Sequence, residues 1–213
     1  MKLIRIAIIA GLLITFIITL VAYPSVPDRV VSHWNAAGEA DGFMPKLWGL
    51  GLIPIIMTGF IALLFVLPRI DPYKKNYEKF GNYYEGLILL FVFFMLAIQV
   101  QIILWSSGYQ ISPNLTFPFL IGTLFIYIGF LLGRAEQNWF VGIRTPWTLS
   151  SKTVWKKTHE LGGTLFKIAG VIAFAGVLAG KYAIWFILVP VLAVGVVTVV
   201  YSYFEYQKEV KGQ

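Results

Sequence analysis

The sequence predicts an all-α integral membrane protein with six transmembrane helices and both termini in the cytoplasm. Three observations lead to this prediction. Hydrophobic residues make up 58% of the chain and charged residues only 13%, whereas soluble domains carry about 25% charged residues. Uncharged runs of about 20 residues, the length that crosses a bilayer, recur along the chain. Lys and Arg gather in alternate connections between these runs.

The six predicted spans are separated by short polar connections. The first run follows Lys2 and Arg5 and lacks the small residues of a signal-peptidase site, so we expect it to be retained. The third span carries Gln99 and Gln101, which cannot share one helical face, so we expect at least one of them to bond a neighbouring helix. The spans cover residues 6–22, 47–67, 86–106, 115–133, 161–180 and 182–204.

Two regions follow from these spans. Residues 1–68 form an N-terminal transmembrane hairpin with an outer loop at 23–46, and residues 69–213 form a four-helix region with an inner loop at 134–163. Fourteen of the 17 Lys and Arg residues fall on the side of the inner loop, and the exceptions are Arg29, Lys46 and Lys181. By the positive-inside rule, the inner loop and both termini are cytoplasmic. The net charge of +7 therefore indicates orientation in the cell membrane and contact with anionic lipid, rather than direct nucleic-acid binding.

The longest polar stretch, residues 138–163, combines Trp147 and Trp155 with a basic cluster. Because a residue before proline avoids the α region, the backbone just before Pro146 is predicted to be extended or turned. A helix is predicted after Ser150, ending at Gly162-Gly163. One interpretation is that this helix lies in the lipid interface, with Trp155 at headgroup depth. Its polar arc holds Lys152, Lys156, Lys157, His159 and Glu160.

The letters GIRTPWTL, followed by VW and TH, resemble the signature loop of the SdpI family of bacterial membrane proteins. The resemblance implies immunity to a secreted, membrane-active peptide toxin, together with signalling in which the inner loop captures a cytoplasmic repressor. Members often carry a basic residue and a proline before the asparagine and a basic residue after the histidine, where this chain has Glu136, Gln137 and Glu160. The resemblance implies partner-binding roles for Asn138, Gly142, Arg144, Thr145, Pro146, Trp147, Thr148, Trp155 and His159.

The outer loop carries a second resemblance. YPSVPDRVVSHWNAAGEADG, residues 23–42, is similar to an extracytoplasmic hairpin domain of unassigned function that commonly precedes the SdpI signature. His33 and its acidic neighbours do not have the spacing of a standard metal-ligand set, so neither a metal nor another cofactor is expected. With the peptide toxin on the outer side, the candidate binding residues are Asp28, His33, Trp34 and Asn35.

Other function classes lack positive signals in the sequence. The polar cluster of the inner loop has neither an evident nucleophile nor a second acid, so no enzymatic activity is expected. A transporter would carry ionisable residues near the bilayer midplane, whereas Glu85, Lys167 and Glu205 lie near span ends. A general membrane sensor or a small-solute transporter unrelated to toxins remains the alternative function.

Arg144 has two interpretations of equal weight. Its planar guanidinium can bind two oxygens of a carboxylate or phosphate partner while it stacks on an indole. It can equally pair with lipid phosphate, with Glu136 or with Glu160.

Overall fold

The computed structural model describes residues 2–212, most of which are helical. A two-stranded hairpin follows the first helix, and two 3-10 turns, Lys74–Asn76 and Gly176–Tyr182, precede the third and the last helix. The elements are α1 (Lys2–Ala22), β1 (Arg29–Trp34), β2 (Ala40–Pro45), α2 (Lys46–Ile70), α3 (Tyr77–Ser106), α4 (Pro113–Leu132), α5 (Pro146–Ser150), α6 (Lys152–Ala175) and α7 (Ala183–Lys211).

The chain is a multi-pass membrane protein. Within residues 2–212, five helical segments are long and apolar enough to cross a membrane, and the last of them covers the 60 residues Lys152–Lys211. This segment is not straight, because Gly180 has a φ of +53°. In addition, Lys157 Nζ in α6 lies 2.7 Å from Glu205 Oε2 in α7. These two helices therefore run antiparallel. That the chain crosses the membrane six times stays a prediction.

Tertiary contacts place the two long loops at opposite ends of the helix bundle. At one end, the Val31 N–H in β1 donates to Ser106 Oγ at 3.3 Å, at the end of α3. At the other end, Asn76 Nδ2 just before α3 donates to the Gln137 carbonyl at 2.6 Å. The 30-residue helix α3 thus contacts the outer hairpin and the inner loop.

The β-hairpin at residues 29–45 corrects the all-α prediction. Val30 pairs with Met44 and Val31 with Phe43 in an antiparallel register. Both valines are buried, and β-branched side chains favour such a half-buried pleated surface. Asn35 closes the turn, since its Oδ1 accepts from two backbone N–H groups, those of Ala37 and Glu39.

Glycines allow α4 and α6 to pack with their backbones in contact. A Cβ built on Gly163 would lie 2.7 Å from the Gly129 carbonyl oxygen, and one built on Gly170 would lie 2.6 Å from that of Gly122. Close approach through small residues is a common way to join helices in membranes. The predicted helix end at Gly162-Gly163 is therefore wrong, because these glycines lie inside α6, which continues to Ala175.

Gln99 confirms the expected bonding between helices. Its Nε2 donates to Thr19 Oγ1 at 2.8 Å and to the Leu50 carbonyl at 3.0 Å, which joins α1, α2 and α3. Gln101 instead bonds the Ile111 carbonyl in the α3–α4 connection at 2.6 Å.

Candidate functional site

Asn138 shapes the first turn of the inner loop. Its buried Oδ1 accepts from the N–H groups of Phe140 and Val141 at 2.9 and 2.6 Å. Its Nδ2 donates to the carbonyls of Glu136 and Val141, both at 2.9 Å. Asn and Asp side chains commonly mimic backbone turns in this way. Asn138 therefore uses its polar atoms inside the loop and in one bond from α3, because its Oδ1 also accepts from the Tyr77 hydroxyl at 3.2 Å.

Asp71, which no sequence motif marks as functional, anchors this turn to the bundle. It lies directly after α2 and is 2% exposed. Its Oδ2 accepts from the Trp139 N–H at 2.9 Å and from the Tyr77 hydroxyl at 3.1 Å, while its Oδ1 accepts from the Tyr73 N–H at 2.7 Å. The available signal was an Asp-Pro turn among basic residues, which indicates a turn but not its distant partner.

The helix α5 is held at both ends by side chains. Thr145 and Thr148 form a capping box, with Thr145 Oγ1 accepting from the Thr148 N–H at 3.2 Å and the reciprocal bond at 2.9 Å. Gln137 Nε2 donates to the Thr148 and Leu149 carbonyls at the other end, at 3.0 and 2.8 Å. Thr145 Oγ1 also lies 3.0 Å from Ser202 Oγ in α7. The inner loop is thus tied to the last helix.

Helical order in the inner loop begins earlier than predicted. Pro146 occupies the first turn of α5, where its missing N–H costs nothing. Ser151, rather than Ser150, caps α6, because its Oγ accepts from the Val154 N–H at 3.2 Å. The backbone before Pro146 is extended at Thr145, as predicted, with φ −105° and ψ 162°.

Trp155 and His159 form a stacked pair beneath the loop. Their rings lie 3.9 Å apart at an interplanar angle of 18°. The indole N–H donates to the Ala135 carbonyl at 2.8 Å. His159 Nε2 accepts from the Ile143 N–H at 3.0 Å, so its Nδ1 carries the proton and donates to the Trp155 carbonyl at 2.8 Å. These bonds require the neutral imidazole.

The nine predicted partner-binding residues divide by exposure. Arg144 and Pro146 are exposed, and Gly142 and Trp147 are half-buried. The other five are buried, with their partners inside the protein: Asn138, Thr145, Thr148, Trp155 and His159. Trp155, only 3% exposed, packs within the protein, so the interpretation that placed it in the headgroup layer is wrong.

Around Arg144, the accessible residues of the inner loop are Trp139, Pro146 and the half-buried Trp147, and we call these four residues the exposed inner patch. Arg144 Nη1 donates to the Trp139 carbonyl at 2.7 Å. Glu136 pairs instead with Lys79 at 3.2 Å, so the alternative pairing of Arg144 with Glu136 is not observed. Trp139, which was not selected from the sequence, is 48% exposed. An exposed guanidinium is suited to a planar anion.

The outer hairpin covers a cavity of about 510 Å³ between β1 and the ends of α3, α4 and α7. Trp34 packs edge-on against Trp105 and Phe117, at 5.6 and 6.0 Å between ring centroids. Its buried indole N–H has no hydrogen-bond partner among residues 2–212. His33, Trp34 and Asn35 line this cavity.

Asp28 and His33 form pairs with other residues of the outer loop. Asp28 forms an ion pair with Lys46 at 3.1 Å and does not line the cavity. His33 pairs with Asp41. Of the four predicted outer binding residues, the structure thus brings three together.

Comparisons with known proteins agree with both resemblances. Residues 134–202 match the SdpI/YfhL protein family, and residues 10–58 match a domain of unknown function, DUF1648. The chain is 28% identical over 196 residues to Immunity protein SdpI of Bacillus subtilis (strain 168), covering 92% of each chain. No solved structure matches. The SdpI resemblance is therefore confirmed, together with the amino-terminal domain that accompanies it.

Proposed function

We propose that this chain, whose residues 134–202 form an SdpI/YfhL family region, protects a bacterial cell against a secreted, membrane-active peptide toxin. The alignment with Immunity protein SdpI is the observation that carries the proposal. It spans 92% of both chains and therefore includes the outer hairpin as well as the inner loop. Protection then depends on binding, without catalysis and without direct contact to nucleic acid.

In this proposal, the toxin binds in the cavity that the outer hairpin covers. Ile98, Phe117 and Ile187 supply apolar walls. The Trp34 N–H has no partner among residues 2–212 but is itself buried, so it becomes available as a donor when the indole shifts on binding. An apolar side chain of the toxin gains free energy by leaving water, and a peptide carbonyl beside it can satisfy the buried indole. Capture at this site keeps the peptide from disordering the bilayer.

The inner loop reports occupancy to the cytoplasm. Six crossings with both termini inside are supported by the antiparallel pairing of α6 and α7 and by the excess of Lys and Arg on the inner side. The helix α3 joins the two ends, since it contacts the hairpin at Ser106 and the inner loop at Tyr77. The exposed inner patch then recruits a cytoplasmic repressor through an acidic group that Arg144 binds.

Killing of a toxin-sensitive bacterium that expresses this chain tests the proposal. We expect the natural chain to protect, and Trp34→Ala and Arg144→Ala to lower protection at matched membrane levels. Lys75→Ala, which removes an exposed cation from the inner side outside the exposed inner patch, is the control and should protect fully. Absence of protection by the natural chain would refute immunity, and unchanged protection by Arg144→Ala would remove the inner patch from the mechanism.

A further inference from the structure

A second cavity, of about 370 Å³, opens at the inner end of the bundle. It lies between the start of α3, the end of α4 and the first three turns of α6. Its volume falls within the range of small-molecule sites, about 300–1,000 Å³. The stacked pair Trp155 and His159 contributes to its wall. Four cations and two carboxylates line it: Lys79, Arg134, Lys152, Lys156, Glu136 and Glu160.

Ion pairing among the lining residues neutralises only some of the charges of this cavity. Lys79 and Glu136 pair with each other at 3.2 Å. Within residues 2–212, Arg134, Lys152 and Lys156 form no ion pair, and the Glu160 carboxylate forms none either. Three cations therefore face one acid. Lys152 and Lys156 also lie in the first two turns of α6, where the helix dipole adds positive potential.

We propose that this cavity binds the phosphate ester of a polyol. Arg134 can bind two phosphate oxygens at once, and the two lysines can neutralise the remaining charge as point cations. Glu160 accepts hydrogen bonds only, so beside a phosphate it fits a ligand that also carries hydroxyl donors. A glycerol phosphate group has both features. It can come from the headgroup of phosphatidylglycerol or from free glycerol phosphate.

Native mass spectrometry of the full chain in detergent tests the lipid source. Dioleoyl-phosphatidylglycerol and dioleoyl-phosphatidylcholine are titrated separately. We expect the first lipid to bind more tightly, and the double variant Arg134→Gln/Lys156→Gln to weaken it about tenfold or more, as expected for lost charge-assisted bonds. The control Lys75→Gln/Lys211→Gln removes the same charge from exposed sites outside the cavity and should change binding less than about twofold.

Glycerol 1-phosphate, with glycerol and inorganic phosphate as comparisons, tests the free source through the shift in melting temperature of the natural chain. Stabilisation by this ligand, lost in the double variant, assigns the site to a soluble polyol phosphate. Arg134→Lys keeps the positive charge but loses the guanidinium that binds two phosphate oxygens at once, so this variant should bind the ligand with intermediate affinity. Such a graded loss would show that the weaker binding does not come from misfolding. Equal weakening by the cavity and control variants, or failure of both ligands to bind, overturns the proposal. No toxin enters these measurements, so their outcome is independent of immunity.

Discussion

Gly142 and His159 show how single residues fix the inner loop. Gly142 has a φ of +120°, and a Cβ at this position would collide with His159 Nε2. The imidazole comes this close because it accepts the Ile143 N–H. A side chain at position 142 is therefore opposed by backbone strain and by loss of the buried bond.

Replacing Gly142 with alanine should destabilise the protein by about 2 kcal/mol or more, since both costs apply. Thermal unfolding in detergent measures the change. Gly108→Ala is the matched control, because Gly108 also has a positive φ, +95°, but open space where its Cβ would lie. The two variants should differ by the cost of the His159 collision. Equal melting temperatures for Gly142→Ala and Gly108→Ala would show that the bond between the Ile143 N–H and His159 contributes nothing to stability.

Asp71→Asn should loosen the inner loop without changing the volume of the side chain. An amide has only one acceptor oxygen, whereas both carboxylate oxygens of Asp71 now accept hydrogen bonds from backbone N–H groups. The NH₂ group of Asn would face one of these N–H donors, and the lost bond should cost about 1–3 kcal/mol of stability. Hydrogen exchange at Trp139 and its neighbours should become faster. Asp28→Asn, at an acid that is 95% exposed and paired at the surface, is the control and should leave exchange there unchanged.

At the scale of elements, glycines let α4 and α6 approach closely, and aromatic pairs such as Phe125 with Phe166 pack beside these contacts. The carbonyl oxygens of Gly122 and Gly129 in α4 lie where a side chain at Gly170 or Gly163 of α6 would begin. In a bilayer, apolar surface gains little from association, so close packing has to supply the attraction. The inner loop joins these two helices, and its geometry therefore depends on their crossing.

Gly163→Ala should lower stability by about 1–3 kcal/mol, because the new methyl would overlap the Gly129 carbonyl. Gly195→Ala in α7 is the control, since nothing lies within 4 Å of its Cβ position. That variant should be neutral or gain up to about 1 kcal/mol from helix propensity. Melting temperatures in the same detergent compare the two. A loss of stability as large in Gly195→Ala would contradict the packing argument.

At the scale of the whole molecule, the hairpin and the inner loop lie at opposite ends of the bundle. The chain contains no cysteine, so single-cysteine variants report topology without other changes. Labelling of intact cells with a membrane-impermeant maleimide should modify Ala37→Cys and Lys181→Cys. Ser150→Cys should react only after permeabilisation. Failure of Lys181→Cys to react outside would mean that α6 and α7 do not both cross.

Local sequence patterns predicted much of the fold. The helix positions followed from uncharged runs of span length, and bonding by Gln99 followed from the cost of an amide in an apolar interior. The extended backbone before Pro146 followed from proline sterics. The β-hairpin was missed because its valines form too short a pattern to distinguish a strand from a helical turn.

The sequence by itself determined the class of protein, the approximate helices, the family region and the polar loop that distinguishes it. The tertiary structure decided which residues of that loop remain accessible. Asn138, Trp155 and His159 resembled binding residues in sequence, yet their partners are Val141, Ala135 and Ile143. Exposure depends on what packs over a side chain, and those contacts join elements distant in the chain. Asp71 became significant for the same reason, since Trp139, 68 positions away, is held by its carboxylate.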